Sequence, residues 1–232
     1  MASIVTSILK YTVGFLLNKG RDFVAKKLKD GDVIDLQSTK LILHELDDLK
    51  SKIDGLARKD LLASLSFFRE GIVFLYQMFD QQEAGKQEML NLNDLGQIAK
   101  QSFLNSKGRF EDARRNAVVA FSNKALKTSD RLLAMKICIL ATIMENIDYP
   151  DTALESCKLC LEELHKMPVV LKCFSVEITK SVRFWFKKNE RRELIASVYQ
   201  MNYEVHRVTR IVRDDLRDQI ELPFITINHQ QI

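Results

Sequence analysis

Glycine and proline, the residues that most tight turns require, are scarce: the 232 residues include 8 Gly and 3 Pro. Average usage would give about 12% of the two together. A β-sandwich needs a turn signal about every 8 to 12 residues, and a nucleotide-binding α/β fold needs a glycine-rich loop. We therefore predict an all-α fold, with an N-terminal helical bundle, antiparallel helical hairpins and a short extended C-terminal tail.

The composition is that of a globular protein, with 46% hydrophobic and 28% charged residues. A net charge of +4 is too small to make nucleic acid an expected partner. No uncharged stretch approaches the roughly 20 residues of a membrane span. The apolar stretch at 4–17 lacks the preceding basic residues and the cleavage site of a signal peptide. We therefore expect a cytoplasmic protein whose four cysteines are thiols.

The first segment predicts an amphipathic helix over residues 3–29. Basic residues accumulate in its second half, whereas residues 30–54 carry an excess of acids. Three fates of its apolar face remain open. The face packs in a hairpin against the acidic segment, it inserts into an anionic membrane surface, which requires apolar area and cations together, or it binds a partner. The face comprises Ile4, Val5, Ile8, Leu9, Phe15 and Leu16.

The next segments organise the rest of the first half. Residues 33–52 have an apolar stripe on one side, typical of a helix with partners on that side. Residues 60–79 are apolar around most of the circumference, so we expect this helix at the centre of a bundle. The polar run at 80–85 predicts a loop and a boundary between a bundle over 1–85 and a hairpin array over 86–232, unless the two form one continuous domain.

After a predicted helix over 86–105, a glycine precedes an aromatic residue and regularly spaced alanines. These residues are Gly108, Phe110, Ala113, Ala117 and Ala120. Here the sequence resembles a tetratricopeptide repeat, in which small residues let the second helix of a hairpin approach the first closely.

The resemblance extends over about residues 92–168 and includes a second match. Its parts in chain order are Ala141, a turn at 148–151, Ala153, Cys157, Cys160 and Pro168. The resemblance implies antiparallel helical hairpins that hold peptides or partner proteins. A fainter likeness, to uncharacterised helical proteins of invertebrates, implies no mechanism.

The pair Cys157-x-x-Cys160 matches half of a redox or zinc site. A redox dithiol needs its first cysteine at a helix N-terminus, whereas this pair is predicted mid-helix. Zinc would need further ligands, and the spacing of a four-ligand site is missing. Packing in the core is therefore the favoured interpretation. The remaining candidate ligands are Cys138, Cys173 and His165.

Other patterns that carry chemistry are incomplete. Glu162 and His165 form a single Glu-x-x-His, whereas a di-iron bundle needs two such pairs and two further glutamates. The adjacent acids at 162–163 and 214–215 diverge by about 100° on a helix, so neither pair can act as an acid and base couple. We therefore predict no catalytic function, no metal and no cofactor.

The densest basic and aromatic cluster lies between a helix predicted to run from Pro168 to about residue 188 and a long helix over 189–220. We interpret it as a candidate interaction surface for an acidic protein or an anionic lipid. The alternative is a corner between helices with a solvated basic rim. The cluster comprises Arg183, Trp185, Lys187, Lys188, Arg191 and Arg192.

Two features of the C-terminal region complete the pattern. The long helix has an apolar stripe at Leu194, Val198, Met201, Val205, Val208, Val212 and Leu216. Residues 224–227 alternate like a strand. With no other strand predicted, we expect this tail to lie on the bundle or to dock onto a neighbouring chain.

These patterns together indicate a non-enzymatic helical protein that binds protein partners. The apolar helix at 60–79, the one-sided helix before it and the unpaired tail also predict self-assembly as a homo-oligomer. The alternative is a membrane-active protein that uses its basic N-terminal helix.

Overall fold

The computed structural model describes residues 36–51, 53, 55–87, 92–174, 188–212, 226–227 and 230–231. About nine-tenths of these residues are helical, which confirms the predicted all-α fold. In chain order the elements are α1 (Leu36–Ser51), a 3-10 turn (Leu56–Arg58), α2 (Lys59–Gln87), α3 (Leu92–Ser122), α4 (Thr128–Glu145), α5 (Pro150–His165), α6 (Pro168–Phe174), α7 (Lys188–Val212), β1 (Thr226–Ile227) and β2 (Gln230–Gln231).

Residues 1–35 lie outside the described part of the chain, and so does the predicted N-terminal helix with its apolar face at Ile4, Val5, Ile8, Leu9, Phe15 and Leu16. The three fates of that face stay predictions. The second predicted helix is confirmed as α1, in which Ile42 and Leu46 are buried. Gly55 follows α1 with a left-handed φ of 104°, a conformation that favours glycine.

The chain divides into two compact units, Met1–Tyr149 and Pro150–Ile232. This division differs from the predicted boundary at 80–85, and the loop predicted there is wrong because α2 continues to Gln87. The run is rich in Gln, Glu and Ala, which are strong helix formers, and its single glycine costs only about 1 kcal/mol. A polar composition alone therefore did not end the helix.

The first unit is built on two long antiparallel helices, α2 and α3. Their contacts join the start of one to the end of the other. Asn123, just after α3, donates from Nδ2 to the carbonyl of Ala57, just before α2, at 3.3 Å. Midway along the pair, the rings of Phe68 and Phe110 meet edge to face with centroids 5.4 Å apart. The two helices therefore lie against each other over much of their length.

Small residues make up much of the buried side of α3. Ala99, Ser106, Ala113 and Ala120 recur every seven residues, and each is at most 6% exposed. Small side chains at heptad spacing let helix backbones approach closely, so larger side chains of the partner fill the adjacent grooves. The buried stripe of α2 supplies such side chains: Leu61, Leu65, Phe68, Ile72 and Leu75.

Among the glycines whose surroundings are described, Gly71 of α2 is the one that has another side chain packed directly against its Cα. A Cβ at this position would lie 2.7 Å from the ring of Phe110, which is itself fully buried. The glycine therefore makes the space that this ring occupies.

The turn predicted at Gly108 does not form, because α3 is uninterrupted from Leu92 to Ser122. Gly108 is exposed, and no atom lies within 4 Å of the position of an added Cβ. One glycine costs a helix about 1 kcal/mol, which the packing of a long amphipathic helix outweighs. The first hairpin implied by the tetratricopeptide resemblance is therefore wrong.

The small residues predicted to be buried are buried with one exception. Ala113, Ala117, Ala153 and Cys157 are buried, whereas Cys160 is half-buried. The turn of the second match also lies where it was predicted, between α4 and α5. Pro168 opens α6 instead of ending a repeat, because proline suits the first turn of a helix.

The helix buried on every side is α4, in which each residue from Ala134 to Met144 is buried. Ion pairs hold its two ends. Arg58 meets Asp130 at 2.9 Å near its start, and Arg114 of α3 meets Glu145 at 2.6 Å at its end. Contacts with α2 and α3 place α4 on the hairpin that these two helices form.

The helix predicted at 60–79 to lie at the centre of a bundle is α2, which contacts α1, α3 and α4 but is not buried on every side. Outside its buried stripe, the apolar residues of α2 are only half-buried: Leu62, Phe67, Val73, Phe74 and Tyr76. Aromatic and aliphatic side chains around a whole helix do not require full burial, since much of a folded protein's surface is apolar.

In the second unit, α7 packs on both α5 and α6. Four residues of its predicted apolar stripe have described side chains, and all four are at most 6% exposed: Leu194, Val198, Met201 and Val205. Val208, Val212 and Leu216 lie outside the side chains that the structure describes. On α5 the buried stripe includes Leu154, Cys157, Leu161 and Leu164.

The C-terminal tail pairs with the last residues of the chain. β1 and β2 are antiparallel, with Thr226 opposite Gln231 and Ile227 opposite Gln230. The expectation that this tail has no strand to pair with is therefore wrong. Gln230 and Gln231 lack the alternation of a half-buried strand, so the sequence pattern did not reveal the partner.

Two glycine substitutions should shift stability in opposite directions. Gly71→Ala places a methyl group against the Phe110 ring, and overpacking of this kind costs about 1–3 kcal/mol. Gly108→Ala adds a methyl group in open space and gains up to about 1 kcal/mol of helix propensity. Urea unfolding of both variants measures the difference. A destabilised Gly108→Ala would contradict the continuous α3, and a stabilised Gly71→Ala would contradict the close approach.

Candidate functional site

The outer side of α7 carries aromatic residues where a helix packed on one side normally carries polar ones. At about 100° per residue, four residues of α7 lie opposite its buried stripe. Tyr199 is 71% exposed and Tyr203 is 46% exposed. Arg192 and Ala196 are exposed on the same side. We call Arg192, Ala196, Tyr199 and Tyr203 the tyrosine face.

The spacing of the tyrosine face makes it one continuous surface. Tyr199 and Tyr203 are four residues apart, so their rings are neighbours on consecutive turns of the helix. The small Ala196 lies one turn before Tyr199 and leaves the ring open on that side. Tyrosine and arginine are the side chains that protein interfaces favour, and each tyrosine presents an apolar ring with a hydroxyl group.

The structure divides the basic cluster predicted as an interaction surface. Arg183, Trp185 and Lys187 lie outside the described residues, and of Lys188 only the backbone, at the start of α7, is described. Arg192 is exposed on the tyrosine face, whereas its neighbour Arg191 is half-buried.

Arg191 has a structural contact. Its Nε donates to the carbonyl of Cys173 at 2.9 Å, in the last turn of α6. The last carbonyls of a helix have no partner within it, so the guanidinium supplies one and joins α7 to α6. Arg191 therefore stabilises the packing of α7 on α6, whereas Arg192 faces solvent.

Tyr199 and Tyr203 are site residues that the sequence prediction did not include, because it rested on the buried stripe of the same helix. The available signal was two tyrosines at i and i+4 on the polar side of an amphipathic helix, since that side carries large aromatic rings only at a cost in exposed apolar area.

The cysteine pair of α5 has the environment of packing residues. Cys157 is buried, and burial raises the pKa of its thiol well above the ordinary value. A buried neutral thiol is a poor nucleophile and a poor metal ligand. In the described ranges no disulfide joins any of the four cysteines, and no group of three metal-binding side chains comes together. Glu162 is exposed while His165 is buried, so this pair faces two different environments.

His165 and Asn202 form a buried polar contact between α5 and α7. Asn202 Nδ2 lies 3.2 Å from His165 Nε2 and also donates to the carbonyl of Val198 at 3.3 Å. With the imidazole neutral and accepting at Nε2, its proton is on Nδ1. Both His165 Nδ1 and Asn202 Oδ1 are buried without a hydrogen-bond partner. Burial also lowers the pKa of His165.

Comparisons of the chain with protein-family models, with curated proteins and with solved structures find no match. Among the helices of the described ranges, none combines the length and the apolar character that crossing a membrane requires. The site is therefore interpreted from its own residues.

The two neighbouring arginines allow a matched test of their different positions. Arg191→Ala removes a charged donor to the Cys173 carbonyl, and such hydrogen bonds contribute about 1.5–3 kcal/mol. Arg192→Ala removes an exposed side chain and should change stability by less than about 0.5 kcal/mol. Thermal and urea unfolding measure both. Equal effects of the two substitutions would contradict the assignment of Arg191 to the α6–α7 contact.

His165 should make the second unit less stable in mild acid. The folded-state pKa of His165 lies below its ordinary value. As pH falls through about 6.5, the unfolded chain gains a proton that the folded chain does not. The free energy of unfolding therefore decreases until pH reaches the lower, folded-state pKa, and then levels off.

The measurement is urea unfolding at about pH 7.5 and about pH 5.5, where this linkage operates. In His165→Gln the free energy of unfolding should differ less between the two pH values than in the wild type. His44→Gln, at an exposed position of α1, should keep the wild-type difference. Identical pH dependence in the wild type and His165→Gln would exclude His165 as the cause.

Proposed function

We propose that this chain is a non-enzymatic helical scaffold that binds a protein partner through the tyrosine face of α7. The observation that carries the proposal is the exposure of two tyrosines, one turn apart, directly opposite a fully buried stripe. Adjacent exposed rings form one contiguous apolar patch, and such patches, when rimmed by polar residues, mark sites of interaction with other macromolecules.

The energetics of the face favour binding. A tyrosine buries about 150–250 Å² when it is covered, and interface tyrosines are often the residues whose truncation costs 2 kcal/mol or more. Both rings stand on a helix held by four buried side chains and by the Arg191 contact to α6. Because the face is already ordered, little conformational entropy is lost on binding.

The buried titratable groups near this helix support a non-catalytic interpretation. Burial favours the neutral thiol of Cys157 and the neutral imidazole of His165. Cys157 lies in the buried stripe of α5, and His165 contacts the side chain of Asn202 on α7, so both groups lie where the two helices pack.

Photo-crosslinking tests the tyrosine face directly. A benzoylphenylalanine at position 199 in the full chain, expressed in cells, should form a discrete covalent adduct with a protein partner. The same residue at position 118, an exposed site on α3, is the matched control and should give no such adduct. Adding Tyr203→Ala should lower the yield at position 199 by about tenfold or more, because an adjacent interface tyrosine is lost.

Two results would contradict the proposal. One is the absence of any protein adduct at position 199 while the chain is folded. The other is an adduct whose yield is the same at positions 199 and 118 and does not respond to Tyr203→Ala.

A further inference from the structure

A second exposed face, on α5, complements the tyrosine face in charge. Leu159 is 62% exposed at its centre. Four carboxylates lie on the same side of the helix or beside it: Asp151, Glu155, Glu162 and Glu163. We call these acids together with Leu159 the acidic face.

Helical geometry separates the acidic face from the core. At about 100° per residue, Asp151, Glu155 and Glu162 are on the side of α5 opposite the buried Cys157 and Leu164. Each of α5 and α7 therefore has one side in the core and one side in solvent. A single copy of the second unit displays the acidic face and the tyrosine face at once.

The acidic face keeps an excess of negative charge. Lys158 pairs with Glu155 at 2.9 Å, and Lys166 pairs with Glu163 at 2.8 Å. Two lysines thus accompany four carboxylates. Exposed ion pairs of this kind contribute little to stability, so Glu155 and Glu163 can exchange these lysines for another basic surface.

The tyrosine face offers what the acidic face lacks. Arg192 brings a positive charge, and the sequence just before it is rich in lysine and arginine. Tyr199 and Tyr203 bring apolar rings for the isolated Leu159 to pack between. Opposite charges around a small apolar centre are the arrangement of a protein interface, with the apolar contact supplying affinity and the charges supplying selectivity and salt dependence.

We infer that the occupant of the tyrosine face is the acidic face of a second copy of this chain. The inference rests on the proposed function of the tyrosine face and adds the identity of the partner. Two different surfaces meet in this contact, so it is heterologous. Each copy can bind one neighbour through its tyrosine face and another through its acidic face. The assembly therefore grows as a filament or closes as a ring.

Complementary variants test the inference. Tyr199→Asp/Tyr203→Asp disables the tyrosine face and Leu159→Asp disables the acidic face, in each case at exposed positions. By sedimentation velocity, the wild-type chain should form assemblies that grow with concentration and shrink with added salt. Each variant alone should be monomeric, because every contact in a heterologous assembly needs both faces.

A mixture of the two variants gives the decisive measurement. One functional tyrosine face and one functional acidic face remain in the mixture, so it should form a dimer of about twice 26.8 kDa that cannot grow further. Val118→Asp on α3 is the control and should assemble as the wild type does. Circular dichroism establishes that each variant is folded. Glu155→Lys/Glu162→Lys reverses charge on the acidic face without touching Leu159 and should also give monomers.

Three outcomes would overturn the inference: a wild-type chain that is monomeric at all concentrations, a mixture of variants that stays monomeric, or a Leu159→Asp variant that still assembles. The last would indicate contact between two tyrosine faces. A monomeric chain that nonetheless crosslinks another protein at position 199 would refute self-assembly and leave the proposed function standing. Failure of both experiments would refute both.

Discussion

The close packing of α2 against α3 is the contact on which the first unit depends. Small residues on α3 lower the separation between helix axes, and the large side chains of α2 occupy the space beside them. Gly71 and Phe110 are one such contact. The glycine on α2 has no side chain, and the ring of Phe110 on α3 occupies that space. The resulting hairpin provides a surface on which α4 packs.

The predictable part of the fold was set by patterns that only one structure satisfies. Scarce glycine and proline restricted the chain to helices, and the stripe of Leu194, Val198, Met201 and Val205 located the buried side of α7. The turn between α4 and α5 was located by a cluster of turn residues with a proline. In each case local propensity and burial pointed to the same answer.

The errors arose where a local signal was weaker than the packing around it. Gly108 resembles the turn glycine of a repeat, yet α3 continues through it because the helical turns before and after it are packed. The polar run at 80–85 resembles a loop, yet its residues are good helix formers. The predicted interaction cluster mixed two roles, since nothing in the sequence distinguishes Arg191, which contacts the Cys173 carbonyl, from the exposed Arg192. The tyrosine face could have been found by examining the outer side of the same helix.

The complete burial of residues 134–144 in α4 also determines how the protein opens. A helix with one exposed side can fray or lift without disturbing its neighbours, whereas residues 134–144 have no such side. Their amide hydrogens can meet solvent only when the surrounding helices separate, so they should be among the slowest in the chain to exchange with deuterium. The two ion pairs at the ends of α4 act against the same separation. Local flexibility elsewhere therefore leaves this segment closed, and its exchange rate reports the global stability of the unit.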